Sequence, residues 1–380
     1  MVLNKTSVTD FPKSDFYRIR LISICKANIR LVCFKIWGVL LIFFFIASCK
    51  SKNESYIERI KIDLDKIRVE KIEDIFAESD TIFLETTYSS LIGSLVRISF
   101  VEDKIFILNS PDKLSVFSET GNFIGNIGMK GRGSFEFINL NDYFIHNDTV
   151  FLYDFNGKKI LKFGIDGTPI NDIRIEQDFS KICPLPNNDG YIVLNTSSNR
   201  EDNPKFRWLD CGFKIKHSSI EQRLNGTSFS NTFFQNGSFL DYWEMFNDTI
   251  YSVTVKSVIP KYVVDFMKYA IPHNINDITQ LNEYNTRSNN RVAGMINNII
   301  ETDESIAFMF AYKMASYWAF VDKKENNVRI FKLTEVEDTF GKLNSVVTYH
   351  NGWFYGVYMP DELHYMDNNC SLIRFKISNS

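Results

Sequence analysis

Six times along this chain a polar turn is followed at once by a short apolar run, and that recurrence limits the fold more than any other feature. Glu102-Asp103-Lys104 precedes Ile105-Phe106-Ile107-Leu108, and Asn147-Asp148-Thr149 precedes Val150-Phe151-Leu152. Asn188-Asp189-Gly190 precedes Tyr191-Ile192-Val193-Leu194, and Asn247-Asp248-Thr249 precedes Ile250-Tyr251-Ser252-Val253. The last two units start at Ile306, after Asp303-Glu304-Ser305, and at Trp353, after Asn351-Gly352. The spacings are 45, 41, 59, 56 and 47 residues. A period near 50 is too short for a domain and matches a four-stranded propeller blade. The first two units agree further: Leu114, Phe117 and Gly121 match Ile160, Phe163 and Gly167 at a constant offset of 46.

The composition within the units supports strands. Phe and Tyr contribute 34 and 17 residues, and aromatic residues favour pleated, half-buried surfaces. The Asn-Asp and Asp-Gly pairs supply the backbone conformations that tight hairpins require. The runs are apolar on successive residues rather than alternate ones, so each strand is covered on both faces. Blades stacked around an axis satisfy that requirement. The expected fold is all-β, a six-bladed β-propeller. An early strand around Thr81-Ile82-Phe83-Leu84-Glu85 is expected to pair with the last unit, from Trp353 to Ile377, and close the ring without open edges. Two long spacings mark insertions. One is placed in residues 205–236, lengthening the third unit. The other covers residues 271–298, where Ile275, Ile278, Leu281 and Tyr284, then Val292, Met295 and Ile299, recur at helical spacing. One or two short helices are therefore expected between blades four and five.

The first 48 residues are a separate object. Residues 36–48 form an uncharged apolar run of 13, preceded by Lys26, Arg30 and Lys35. That is too short to span a bilayer and has the layout of an export signal. The run ends in Ile46-Ala47-Ser48-Cys49, which resembles the lipobox of bacterial lipoproteins: an aliphatic residue, two small residues, and the cysteine that receives lipid. The expected organisation is a lipoprotein signal peptide over 1–48, a polar tether over 49–66 and a propeller over 67–380. Cys49 is the expected lipidation site.

Removing the leader takes away 7 basic and 2 acidic side chains and leaves 36 against 44, a net charge of −8. Such a chain is a poor nucleic-acid binder, because phosphate neutralisation needs clustered basic residues. Cys183, Cys211 and Cys370 are too widely spaced for a metal knuckle or a disulfide framework, and are read as buried thiols.

A wider resemblance rests on Gly125-Asn126-Ile127-Gly128-Met129-Lys130-Gly131-Arg132-Gly133-Ser134-Phe135-Glu136-Phe137. It rests also on Asn247 to Tyr251 followed by Pro260-Lys261-Tyr262-Val263-Val264-Asp265-Phe266. These segments resemble six-bladed β-propeller lipoproteins of Gram-negative bacteria, related in shape to NHL-repeat propellers. Ser134-Phe135 stands where that family has Pro-Gly. The resemblance implies the fold and an envelope location, outer-membrane and lipid-anchored, but no activity.

Local motifs name no reaction. The glycines of 125–133 match neither the dinucleotide fingerprint nor the Walker loop. No His pair has metal-ligand spacing, and the nucleophile elbow is absent. No catalytic, cofactor or metal residue is assigned. Lys130, Arg132 and Glu136 are the candidate ligand-binding residues, on a loop able to face the channel, with a structural Arg132–Glu136 pair or a solvated loop as the alternatives. Tyr242-Trp243, Tyr317-Trp318 and Trp353-Phe354-Tyr355 read as blade core rather than sugar platforms. The expected function is a membrane-tethered scaffold that holds a glycan, a peptide or an outer-membrane protein. The alternative is a propeller lyase or hydrolase acting on a glycan or peptide at the channel mouth.

Overall fold

The computed structural model describes residues 57–66, 75–110, 112–195, 204–219, 232–275, 277–289, 291–333, 337–338, 341–359 and 368–378. Two strands precede the repeats, β1 (Glu58–Lys61) and β2 (Phe76–Phe83). Blade one comprises β3 (Ser94–Val101), β4 (Lys104–Ser110), β5 (Lys113–Ser118) and β6 (Phe123–Ile127). The link to blade two carries a short parallel pair, β7 (Met129–Lys130) and β8 (Glu136–Phe137). Blade two follows with β9 (Leu140–His146), β10 (Thr149–Asp154), β11 (Lys159–Gly164) and β12 (Pro169–Arg174). Blade three is β13 (Lys181–Pro184), β14 (Tyr191–Leu194), β15 (Phe206–Leu209) and β16 (Ile215–Ser218). Blade four is β17 (Thr232–Asn236), β18 (Phe239–Trp243), β19 (Thr249–Val253) and β20 (Val258–Asp265). After the helix α1 (Ile278–Arg287), blade five is β21 (Ala293–Glu301), β22 (Ser305–Tyr312), β23 (Ala315–Asp322) and β24 (Asn327–Lys332). Blade six contains β25 (Glu337–Asp338), β26 (Gly341–His350), β27 (Trp353–Met359) and β28 (Ser371–Ile377), and β2 completes it.

The unbroken apolar runs serve two interfaces at once. In β4, Ile105 and Ile107 pack toward blade six with Tyr355 and Val357, whereas Phe106 and Leu108 pack toward blade two with Tyr143 and Leu152. In β22, Ile306, Phe308 and Phe310 join blade four's Trp243 and Ile250, while Ala307 and Met309 face blade six's Phe354 and Phe375. Alternate side chains of a strand leave opposite faces, so a blade buried on both sides reads as continuous hydrophobicity. Among the described residues the buried side chains group into one core per blade junction.

The turns behave as their residues dictate. Asn147 and Asp148 have φ of 47° and 54° between the paired residues His146 and Thr149, the mirror-image turn that matches strand twist. Ring closure also follows expectation. β2 runs antiparallel to β28, with Thr81 opposite Ile373. Buried Asn369 fastens the following segment: its Nδ2 donates to the carbonyl oxygens of Glu85 (2.9 Å) and Ser90 (3.2 Å), and its Oδ1 accepts from Ile92 N (2.8 Å).

Four expectations need correction. The fourth unit was aligned one strand late, because Ile250 lies in β19, the third strand, and the equivalent second strand is β18, after the Asn236-Gly237 turn. Residues 205–236 are not simply an insertion, since Phe206–Leu209 and Ile215–Ser218 are the outer strands of blade three. Only one of the two helical patterns is a helix: Val292, Met295 and Ile299 lie at or in β21, not in a second helix. There Gly294, Asn297 and Ile300 stand opposite Ala311, Met309 and Ala307, so three residues of β21 match every two of β22. Each bulge inserts a residue, and the buried positions Ala293, Ile296 and Ile299 acquire a spacing of three that imitates a helix. Finally, the tether expected to reach residue 66 contains β1, whose parallel pairing with β20 (Ile60 opposite Val264) adds a fifth strand to blade four.

The candidate site in the central channel

The six inner strands, β3, β9, β13, β17, β21 and β26, enclose a cavity of about 450 Å³ on the propeller axis. All six blades line it, through Arg97, Ser99 and Phe100, Tyr143, Lys181 and Cys183, Phe234 and Gln235, Asn298, and Thr348 to His350. Cavities of a few hundred Å³ with mixed apolar and polar walls are the usual size for small-molecule sites. Val96 is 51% exposed although it lies on an innermost strand, so side chains in the wall face open space.

A polar chain crosses from blade to blade. Arg97 Nη1 donates to the Tyr143 carbonyl oxygen at 2.8 Å and lies 3.1 Å from Asp142 Oδ1. Asp142 is fully buried; Oδ1 also accepts from Tyr143 N at 3.0 Å, and Oδ2 from Ile182 N of blade three at 3.5 Å. The next wall residue, Cys183, donates its thiol to Gln235 Oε1 of blade four at 3.4 Å. Burial alone would lower the Arg97 pKa, but Asp142, with smaller contributions from Cys183 and Tyr143, outweighs it and holds the value above the ordinary one. Burial pushes the Cys183 thiol up to about 12, so it stays protonated and is a hydrogen-bond donor rather than a nucleophile. The Tyr143 hydroxyl sits 2.9 Å from both Ser99 Oγ and the Phe106 carbonyl oxygen, bracing blade two against blade one. His350 stacks near Phe100 at 5.6 Å, and burial lowers its pKa, so it lines the channel as a neutral imidazole at pH 7.

A second polar cluster sits between blades four and five. Glu301, 1% exposed, accepts from Lys261 Nζ (2.5 Å), Lys323 Nζ (2.7 Å) and the Tyr262 hydroxyl (2.8 Å). Beside it Asp241, also 1% exposed, has an Oδ1 without a hydrogen-bond partner. Desolvation and the neighbouring Glu301 charge raise the Asp241 pKa well above its usual value; in Glu301 desolvation is outweighed by the two lysines, and the pKa falls. The shared environment therefore places the proton on Asp241 and the charge on Glu301.

The candidate residues on the β6–β9 link do not join the cavity wall. Lys130 is exposed and pairs with Asp112 of blade one at 2.7 Å. Glu136 turns back on its own loop and accepts from Gly133 N at 2.7 Å, in place of the Arg132–Glu136 pair. A Cβ at Gly131 would meet that carboxylate, which packs directly over the glycine backbone. Arg132 is exposed. The three residues shape a loop. The aromatic pairs are core, as expected: Tyr242, Trp243, Tyr317, Trp318, Phe354 and Tyr355 are buried, and Trp353 is half-buried beneath Arg374 and Lys376. Cys183 and Cys370 are buried free thiols, but Cys211 is exposed. Cys49 and His364 lie outside the described residues. Among the described residues no group of three or more His, Cys, Asp and Glu could hold a metal ion, and no helix is long and apolar enough to cross a membrane.

Sequence reading missed the wall residues because each comes from a different blade, yet a signal exists. The wall residues Arg97, Cys183 and Asn298, together with Asp142, the ion-pair partner of Arg97, each stand eight residues before the second-strand mark of their unit, at Ile105, Tyr191, Ile306 and Val150 respectively. Aligning the units on the residues ahead of the turn would have brought these polar positions into one column.

A family model described as a domain of unknown function (DUF4934) matches residues 58–378. No curated protein matches the chain. Among solved structures, a candidate exported protein from Bacteroides fragilis aligns with a TM-score of 0.67 at 18% identity, covering 85% of this chain and 100% of its own. That likeness shows the fold. A Bacteroides vulgatus member of the duf4221 family (TM-score 0.48, 10% identity, 82% and 100% coverage) and a streptogramin B lyase (0.43, 12%, 80% and 89%) are more distant and carry no argument.

Proposed function

The chain belongs to the DUF4934 family, and since that membership brings no chemistry with it, we propose from the channel that this is an exported, lipid-anchored propeller whose task is to bind a small ligand on its axis. The observation that carries the reading is the cavity of about 450 Å³ with polar side chains from separate blades converging on it. A rigid ring pre-forms such a site, which lowers the ordering cost of binding. The anchor rests on the lipobox ending at Cys49, and the description of the B. fragilis neighbour as a candidate exported protein agrees with export. Outer-membrane residence is part of the same proposal. A glycan or peptide end that enters the channel, or an outer-membrane partner that delivers one, fits this arrangement.

Two experiments test it. A ligand-observed fragment screen should give hits that vanish in Val96→Trp, a change at an exposed wall position that fills the channel without entering a blade core. Hits that persist in that variant, or none at all, would remove the binding reading. Cys49→Ala should abolish acyl labelling and release the protein from membranes; continued labelling would remove the anchor. The reading as a lyase or hydrolase draws on Arg97 and His350 sharing one wall; turnover of a bound glycan or peptide, lost in His350→Gln with binding retained, would favour it.

A further inference from the structure

The channel wall has a pronounced charge bias. Acidic residues number 46 of 380, so a wall of 25 residues would carry about three by composition, yet it has none. Its ionisable side chains are Arg97, Lys181, Tyr143, Cys183, Tyr349 and His350. Asp142, next in sequence to the wall residue Tyr143, is buried and already engaged by Arg97 Nη1, Tyr143 N and Ile182 N. Both contacts of Arg97 use Nη1. Nε and Nη2 make no hydrogen bond or ion pair among the described residues, and neither does Lys181 Nζ. A guanidinium that lines a cavity, with one nitrogen held beside a buried carboxylate, keeps two further donor nitrogens for a bidentate partner. Phe100, Phe234 and Tyr349, each half-buried, supply aromatic surface in the same wall.

Resting on the reading of the channel as a binding site, we propose that its ligand is an organic carboxylate with an apolar or aromatic body. The carboxylate lies against the Nε–Nη2 edge of Arg97 within the field of Lys181, and the body packs on Phe100, Phe234 and Tyr349. Asp142 is a positioning residue: it holds the guanidinium plane and keeps it charged. The channel then acts as an anion-selective well inside a protein that is acidic overall. A planar carboxylate matches one guanidinium edge with two parallel hydrogen bonds, whereas a neutral amide offers one acceptor and an unmatched donor.

The test uses the full-length chain in mild detergent and matched probes measured by calorimetry: phenylacetate against phenylacetamide, indole-3-acetate against its amide, hexanoate against hexanamide, and phenyl phosphate. At least one acid should bind about tenfold or more tightly than its amide, and more weakly as salt is raised. Arg97→Lys, which keeps a cation beside Asp142 but removes the fork, should cost that acid about tenfold and leave its amide unchanged. Lys181→Gln, at a half-exposed position where folding is not at stake, should cost several-fold. Equal binding of acids and amides would overturn the carboxylate assignment while leaving the channel reading intact, as would a preference for phenyl phosphate. Acid binding indifferent to both variants would also overturn it. Failure of every probe to bind would overturn both.

Discussion

At the scale of single residues, Asp241 and Glu301 show how one fold keeps two buried carboxyl groups in different states. Glu301 is surrounded by three donors, whereas at Asp241 burial and the acidic neighbour outweigh the pull of Lys261 and Lys323, and one oxygen is orphaned. Because the Asp241 pKa is raised in the folded protein, its contribution to stability is fully present below the unfolded value near 3.8 and is lost as pH rises toward the folded pKa. Glu301 behaves oppositely: its pKa is lowered, so its contribution is present above about 4.5 and lost as pH falls through the folded value. Asp241→Asn keeps the shape and removes the titration. In urea melts its stability relative to wild type should therefore grow as pH rises above about 4, the unfolded value, and level off above the folded pKa. A difference that stays constant with pH would show that Asp241 is ionised in the native state. None of this was legible beforehand. The sequence displays Asp303-Glu304 as the conspicuous acidic pair, and both are exposed in the β21–β22 turn, while the pair that matters joins strands 60 residues apart. The channel residues were hidden for the same reason. Arg97, Asp142 and Cys183 have no sequence neighbours that announce them, and they meet only because three inner strands converge on one axis.

At the scale of elements, most of the architecture was readable, because the physics that builds a blade is local. Turn residues with positive φ punctuate the strands, and a strand sandwiched between two blades must be apolar at every position. The failures occurred where a strand departs from a period of two, as in doubly bulged β21, or where a short strand lies in polar sequence. β1 is of the second kind. Its sequence, Glu58-Arg59-Ile60-Lys61, shows a single apolar residue, yet Ile60 and Ile62 are both fully buried against blade four. β1 also caps the edge that β20 would otherwise expose, and Ile62 N donates to the Asp265 carbonyl oxygen at 2.9 Å. Burying an isoleucine contributes roughly 2 kcal/mol. A chain starting at Leu64 should therefore be about 4 kcal/mol less stable than one starting at Ile57, by denaturant titration, and more prone to self-association through the uncovered edge. Equal midpoints for the two chains would make β1 an ornament rather than part of blade four.

At the scale of the whole molecule, the ring changes what a repeat protein can do. In an open array of repeats each unit touches only its neighbours, the terminal units are weakest, and stability is a sum of local terms. Here β2 belongs to blade six although it precedes blade one in sequence, so no blade is terminal. Opening one junction also unclasps the ring and exposes the channel, and no blade keeps both covered faces once its neighbours separate. Such a molecule should unfold as one unit. Phe106 fills the junction of blades one and two, and Phe308 that of blades four and five; both are fully buried. Truncating a buried Phe to Ala costs roughly 3–5 kcal/mol. Phe106→Ala and Phe308→Ala should each shift the same single transition downward, by amounts in that range, even though they lie in different junctions. If either variant instead split the transition, with one half melting as in wild type, the blades would be independent folding units and the channel would open without global unfolding. A single shifted transition means that the channel opens only with the entire ring, which is the condition under which Asp142 can hold the Arg97 guanidinium in one plane and the channel can serve as the pre-formed site proposed for it.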